Sequence, residues 1–247
     1  MTQKFCQLCL FTFMLTLFSI GTAIGQAASP AKKQTGVAKT PGKTAAQKMI
    51  PGPVRVKIIT DSGTIIVALS DSTPLHRDNF VKLVKQGFYD SLLFHRVIQQ
   101  FMIQGGDPAS KNAQPGAMLG GGGADMVRIP GEFCPSLYHK KGALAAARDG
   151  NPEKASSGCQ FYIVEGKTYS DEQLNMLEQQ KPPGFKYTPT QREIYKTVGG
   201  TPQLDQGYTV FGEVESGLDV IGKISHVVKD GMNRPAGDIR MRMEIIK

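Results

Sequence analysis

Tryptophan is absent from this chain of 247 residues, and cysteine occurs only four times. Four cysteines cannot staple a fold of this length, so hydrophobic burial has to stabilise it. The four histidines, His76, His95, His139 and His226, show no metal-ligand spacing, and the sequence offers no metal site. Gly120 to Gly123 is the nearest approach to a phosphate-cradling loop, but no Lys-Ser/Thr pair follows it, which argues against a nucleotide site. No internal repeat is visible. With 40% hydrophobic and 20% charged residues, the composition is neither that of a disordered chain nor that of a coiled coil.

Acidic residues are also in short supply: 21 against 29 basic ones, a net charge of +8. That balance suggests a nucleic-acid partner until the charges are located. The first 50 residues carry six lysines (Lys4, Lys32, Lys33, Lys39, Lys43, Lys48) and no acid. The remainder holds 23 basic and 21 acidic residues, nearly neutral, and no nucleic-acid partner is expected.

Residues 1–25 read as a secretory signal. Lys4 precedes an apolar run from Phe5 to Ile20, and small residues around Ala23 and Gly25 mark a cleavage site. The alternative is an uncleaved anchor tethering the protein to a membrane. Residues 26–53 are rich in Ala, Lys, Gln, Thr, Gly and Pro and read as a flexible basic linker. Export makes the protein periplasmic or secreted, with no stable membrane insertion once the signal is cut. In that oxidising setting Cys134 and Cys159 either pair or serve as small buried hydrophobes.

Order begins near Val54 and defines a domain over 54–247. Two β-branched runs around Asp61-Ser62-Gly63 predict a hairpin. A helix is expected over 75–86, with N-terminal signals at 71–74 and an apolar face of Leu75, Phe80, Leu83 and Val84. Further strands are expected at 92–97, 101–104, 142–147, 160–164, 208–213 and 239–246, with a short helix at 218–225. Many short strands and few helices indicate a mainly all-β barrel or sandwich. Residues 167–200 interrupt it, with helix starts at Ser170 and Thr188.

The chemistry concentrates in FHRVIQQFMIQGGDP, residues 94–108. On adjacent strands, Arg96, Phe101, Met102 and Gln104 set a guanidinium and an amide beside apolar side chains. Phe101 and Met102 are consecutive, so both can line one pocket only if the backbone there departs from a regular strand. His95 alternates away from Arg96 and is expected to be structural. GCQFYI, residues 158–163, adds Gln160 and Tyr162, and LDQGYTVFG, residues 204–212, adds Leu204 and Tyr208.

These blocks, together with GALAAAR at 142–148, resemble the cyclophilin family of peptidyl-prolyl cis-trans isomerases, from about Val54 to Ile246. The leader resembles that of bacterial secreted or periplasmic members. The resemblance implies a closed eight-stranded antiparallel barrel capped by two helices, with the excursion at about 167–200 as an insertion. It implies an outer groove in which Arg96, Gln104 and Phe101 are catalytic. Met102, Tyr162 and Leu204 would complete a proline pocket with Phe101, Gln160 would stand on its polar rim, and Ala147 and Arg148 would pair with the substrate main chain. Tyr208 stands where many members have His. No cofactor is implied, and the partners would be proline-containing segments of exported proteins, met by a monomer. The missing tryptophan is a departure, because many eukaryotic members carry one on the rim where Gln203 stands here; weak cyclosporin binding is expected. Arg148 replaces an Asn common in those members.

Overall fold

The structure, a computed structural model, describes residues 54–246; the segments read as signal and linker lie outside these residues. Alternating β-branched residues set the first hairpin. Strand β1 (Arg55–Thr60) pairs antiparallel with β2 (Gly63–Leu69), Thr60 opposite Gly63 across a two-residue turn. Val56, Ile58, Ile65 and Val67 all point inward and are fully buried. Six more strands follow: β3 (Phe94–Ile98), β4 (Met102–Gly105), β5 (Ala143–Ala146), β6 (Phe161–Val164), β7 (Val210–Ser216) and β8 (Met241–Ile246). They form one antiparallel sheet in the order β3-β4-β6-β5-β7-β2-β1-β8.

The sheet curls into a barrel that is not fully sealed. Its edges, β3 and β8, meet through an isolated bridge between Leu93 and Arg240 and a few neighbouring backbone hydrogen bonds, such as Met241 N–H to Leu92 C=O at 2.9 Å. The expectation of a closed barrel holds for the architecture but overstates this junction. The interior is packed with apolar side chains, including Ile58, Val67, Phe94, Ile103, Leu144, Phe161 and Met243. A filled lumen leaves the outer surface as the place for a binding site.

Helix α1 (Pro74–Lys85) joins that core through Phe80, Val81, Leu83 and Val84. Leu75, expected on this face, is 52% exposed instead. The buried stripe runs through 76–77, 80–81 and 83–84, which turns position 75 toward solvent. Thr73 makes no side-chain cap; Glu132, from a distant loop, accepts from the Leu75 and His76 N–H groups at 3.1 and 3.0 Å, and its carboxylate also bonds His76 Nδ1 at 2.7 Å. Burial lowers the His76 pKa, opposed by the Glu132 carboxylate.

The excursion folds as expected into α2 (Asp171–Gln179) and α3 (Pro189–Thr197). Each opens with a capping box, Ser170 with Gln173 and Thr188 with Gln191. These helices bury a small aromatic core of Leu174, Tyr187 and Tyr195, flanked by Tyr138, Tyr169 and Phe185. The last helix, α4 (Leu218–Ser225), adds Val220, Ile221 and Ile224 to the barrel core. Among the described residues, Cys134 and Cys159 form no disulfide. Among the described residues no helix is long and apolar enough to cross a membrane.

Candidate active site

The sheet register builds the site on the barrel's outer face. Arg96 lies opposite Gln104, Gln104 opposite Tyr162, and Tyr162 opposite Ala145, so residues from β3, β4, β6 and β5 stand in one row. A register shift between Phe94 and Arg96 marks an irregularity that re-aims Arg96. The residue inside it, His95, is 3% exposed, and neither ring nitrogen has a hydrogen-bond partner among the described residues. Burial lowers its pKa to about 4, opposed in part by Asp107. A buried imidazole held neutral is structural, in line with the sequence reading.

Polar groups run across this row in a single direction. Arg96 Nη1 donates to Gln104 Oε1 at 3.2 Å, Gln104 Nε2 donates to Gln160 Oε1 at 3.1 Å, and Gln160 Nε2 donates to the Gly120 and Gly122 carbonyls, both at 2.9 Å. Gln160, expected on the rim, lines the groove and is nearly fully buried, with its amide nitrogen directed to the glycine loop. It acts as a strut for that loop and for Gln104. From beneath, the fully buried Asp107 carboxylate accepts the Gly122 N–H at 3.3 Å and the Gly120 N–H at 2.5 Å. A Cβ at Gly122 would overlap that carboxylate, which explains glycine at this position. Of the five N–H donors of Arg96, one is used on Gln104 among the described residues.

The apolar half of the site is one cluster: Met102, Tyr162, Ala145, Ala147, Val164 and Val210, with Phe101, Leu204 and Tyr208 packed against it. Phe101 and Met102 both reach the cluster because the chain turns just before β4. Gln100 has a φ of 61°, and the Phe101 carbonyl accepts from the Glu165 and Gly166 N–H groups at 3.0 and 3.1 Å. Leu204 rides on a short 3-10 turn, Pro202–Leu204. The Tyr162 and Tyr208 rings meet edge-on at 6.0 Å, and the Arg148 guanidinium lies 4.5 Å from the centre of the Tyr208 ring. Arg148 also donates from Nε to the Gly207 carbonyl at 2.7 Å.

Ala147 uses its N–H on the Gln160 carbonyl and its C=O on the Ser157 N–H, at 2.9 and 2.8 Å. The backbone N–H and C=O of Arg148 find no partner among the described residues. The groove continues past it into a cavity of about 260 Å³ lined by Gly120–Gly123, Met126, Asp149 and Gln160.

The family model described as cyclophilin type peptidyl-prolyl cis-trans isomerase/CLD matches residues 55–244. The chain belongs to the cyclophilin family of peptidyl-prolyl cis-trans isomerases. A Staphylococcus aureus (strain USA300) protein named as a peptidyl-prolyl cis-trans isomerase is 33% identical over 189 residues, covering 76% of this chain and 89% of that protein. A Streptococcus pyogenes protein, named as a bifunctional phosphatase and peptidyl-prolyl cis-trans isomerase, is 35% identical over 193 residues; this cyclophilin spans 37% of its length. A crystal structure of a Cryptosporidium parvum cyclophilin superposes with a TM-score of 0.59 at 24% identity, covering 79% of this chain and 99% of that one. A second structure of it, obtained in the presence of the dipeptide Ala-Pro, gives a TM-score of 0.56.

The structure brings Arg96, Gln104, Phe101, Met102, Gln160, Tyr162, Leu204, Tyr208, Ala147 and Arg148 to one face of this cyclophilin. Asp107, His139 and Asp205 were not singled out as site residues. The acidic residue directly after the GG pair and the one directly after Leu204 were the available signals for two of them; His139 reaches Asp205 from 66 positions away and left none.

Proposed function

We propose that this cyclophilin accelerates X-Pro isomerisation in exported proteins by stabilising the twisted amide without covalent chemistry. The observation that carries the reading is Arg96, fixed by Gln104 with donors to spare, beside the cluster of Phe101, Met102, Tyr162 and Leu204.

Resonance gives the prolyl C–N bond partial double-bond character and a barrier of about 18–20 kcal/mol. As the amide twists, the nitrogen becomes pyramidal and its lone pair localises. A guanidinium N–H aimed there stabilises the twisted form more than either planar form, which is what lowers a barrier. Arg suits the task because it is charged at all working pH and donates from a rigid fork. Gln104 holds that fork in position. The apolar cluster would take the pyrrolidine ring, whose three CH₂ groups are worth roughly 2 kcal/mol on burial at about 0.8 kcal/mol each. The unpaired backbone groups of Arg148 would pair with the substrate main chain, so the prolyl ring and its flanking chain are fixed while the amide turns. A structure of the Cryptosporidium relative was obtained in the presence of the dipeptide Ala-Pro, in keeping with a prolyl ligand for the family.

The exported setting rests on the leader pattern of residues 1–25 and the basic spacer of 26–53, ahead of an isomerase domain over 54–247 that acts as a monomer. Exchange spectroscopy on a proline peptide tests the chemistry. Wild type should speed cis-trans exchange, and Arg96→Ala should lose roughly 10²–10³ of that acceleration; equal rates for the two would refute the role of Arg96. Fractionation of expressing cells followed by N-terminal sequencing tests export: cleavage near residue 25 and recovery outside the cytoplasm is expected, and a full-length cytoplasmic product refutes it.

A further inference from the structure

The helical insertion grips the loop that carries the outer wall of the pocket. Lys181 Nζ donates to the carbonyls of Gln203 at 2.8 Å and Asp205 at 2.5 Å. The Tyr187 hydroxyl donates to the Pro202 carbonyl at 2.8 Å, and the Tyr169 hydroxyl to Gln203 Oε1 at 3.0 Å. Three insertion side chains therefore hold residues 202–205, and Leu204 lies among them.

A second line runs under the pocket floor. The Tyr195 hydroxyl, on α3, donates to Asp205 Oδ2 at 2.5 Å. Asp205 Oδ1 accepts from His139 twice, from the backbone N–H at 2.9 Å and from Nδ1 at 2.7 Å. With Nδ1 facing that carboxylate, Nε2 is the ring nitrogen left for a further partner. The Tyr162 hydroxyl stands 2.9 Å from it, the two rings near parallel at 13°. Tyr195, Asp205, His139 and Tyr162 are all nearly inaccessible to solvent, at 0%, 5%, 1% and 4% exposure, so each bond lies away from competing water.

We propose that the insertion is a positioning brace, which fixes the Tyr162 ring through Tyr195, Asp205 and His139 and holds Leu204 through Lys181, Tyr169 and Tyr187. None of the bracing groups touches the reacting amide; Tyr195, Asp205 and His139 are positioning residues. A phenyl ring in the place of Tyr162 would be held by packing alone, whereas the anchored hydroxyl also fixes the far end of the ring. The effect belongs to the grip on the prolyl ring, which is shared by ground and transition states, so the brace acts on KM and leaves kcat nearly unchanged. The inference rests on the reading of Phe101, Met102, Tyr162 and Leu204 as the prolyl pocket.

The test measures kcat and KM on a proline peptide for the wild type, Tyr195→Phe, Tyr162→Phe, the double variant, Arg96→Ala and, as a control on the exposed side of α3, Glu193→Ala. The Met102 methyl resonance reports on the pocket. Tyr195→Phe and Tyr162→Phe should each raise KM about fivefold, the scale of one buried hydrogen bond. The double variant should be no worse than the poorer single one, and the Met102 signal should move in Tyr195→Phe but stay in place in Glu193→Ala. Wild-type KM and an unmoved Met102 signal in Tyr195→Phe, or fully additive losses in the double variant, would overturn the brace. If Tyr195→Phe does not fold, an unchanged KM in Tyr162→Phe overturns it alone. Loss of activity in Arg96→Ala alongside either result shows that the pocket reading stands while the brace fails; wild-type activity in Arg96→Ala removes both.

Discussion

Replacing His95 with Leu should flatten the acid dependence of stability. His95 is 3% exposed and has no partner for either ring nitrogen among the described residues, and burial lowers its pKa from 6.5 to about 4. The folded protein therefore keeps the ring neutral, while the unfolded chain takes up a proton below about pH 6.5. A depressed histidine gives stability that is present above the unfolded pKa and lost as pH falls, so acid favours unfolding between about 6.5 and 4 and adds nothing further below that. At about 1.4 kcal/mol per pH unit the ceiling is roughly 3 kcal/mol, and integrating from pH 7 to pH 5 gives a loss of about 2 kcal/mol. With a urea slope of about 2 kcal/mol/M, that moves the unfolding midpoint by about 1 M. His76, also lowered by burial, contributes in the same direction in both proteins and cancels from the comparison. Urea titrations of wild type and His95→Leu at the two pH values isolate His95, whatever the leucine itself costs. The wild type should lose about 2 kcal/mol more than the variant on acidification. Parallel losses would show that the ring finds a partner or solvent in the folded state, and the reasoning would be wrong.

Glu132→Ala removes the cap of α1 and the partner of His76, and calorimetry should show a loss of about 1–3 kcal/mol in stability with kcat unchanged. Gly122→Ala drives a methyl group into the Asp107 carboxylate and should weaken peptide binding, read as a raised KM; a wild-type KM would mean that the glycine loop takes no part in the groove. Cys134 has its thiol pKa lowered by the Ser136 hydroxyl, whereas burial raises that of Cys159 to about 11. Brief alkylation at pH 8 followed by peptide mass mapping should label Cys134 and spare Cys159, and equal labelling would contradict the burial of Cys159. The chain has no tryptophan, and Gln203, beside Leu204, accepts from the Tyr169 hydroxyl with its side-chain oxygen, so titration with cyclosporin should give no nanomolar affinity.

The strands were legible where the side-chain pattern was set by one buried face. The alternation of Val56 with Ile58 and of Met241 with Met243 placed β1 and β8, and the capping signals of Ser170 and Thr188 placed α2 and α3. Leu75 went astray because an apolar residue in a first turn carries little phase information. For Gln160 the motif fixed a position without saying which neighbours its amide would meet: its contacts to the Gly120 and Gly122 carbonyls come from a loop about 40 residues away. The His139–Asp205 pair was illegible for a different reason. It depends on the long loop before β5 and the turn after the insertion arriving at one point, and nothing local to either segment records that meeting. The unsealed junction of β3 and β8 was likewise hidden, because closure depends on how far pairing extends along two edges that are remote in sequence.

The packed lumen has a consequence for the clients. With the interior occupied, the groove is shaped on the outside of a wall, and both ends of a bound chain can run on into open water. A segment need not be threaded, nor released from the rest of its polypeptide, to be turned over. The requirement that this geometry sets is local: a few extended residues around one proline that can lie across β3, β4 and β6.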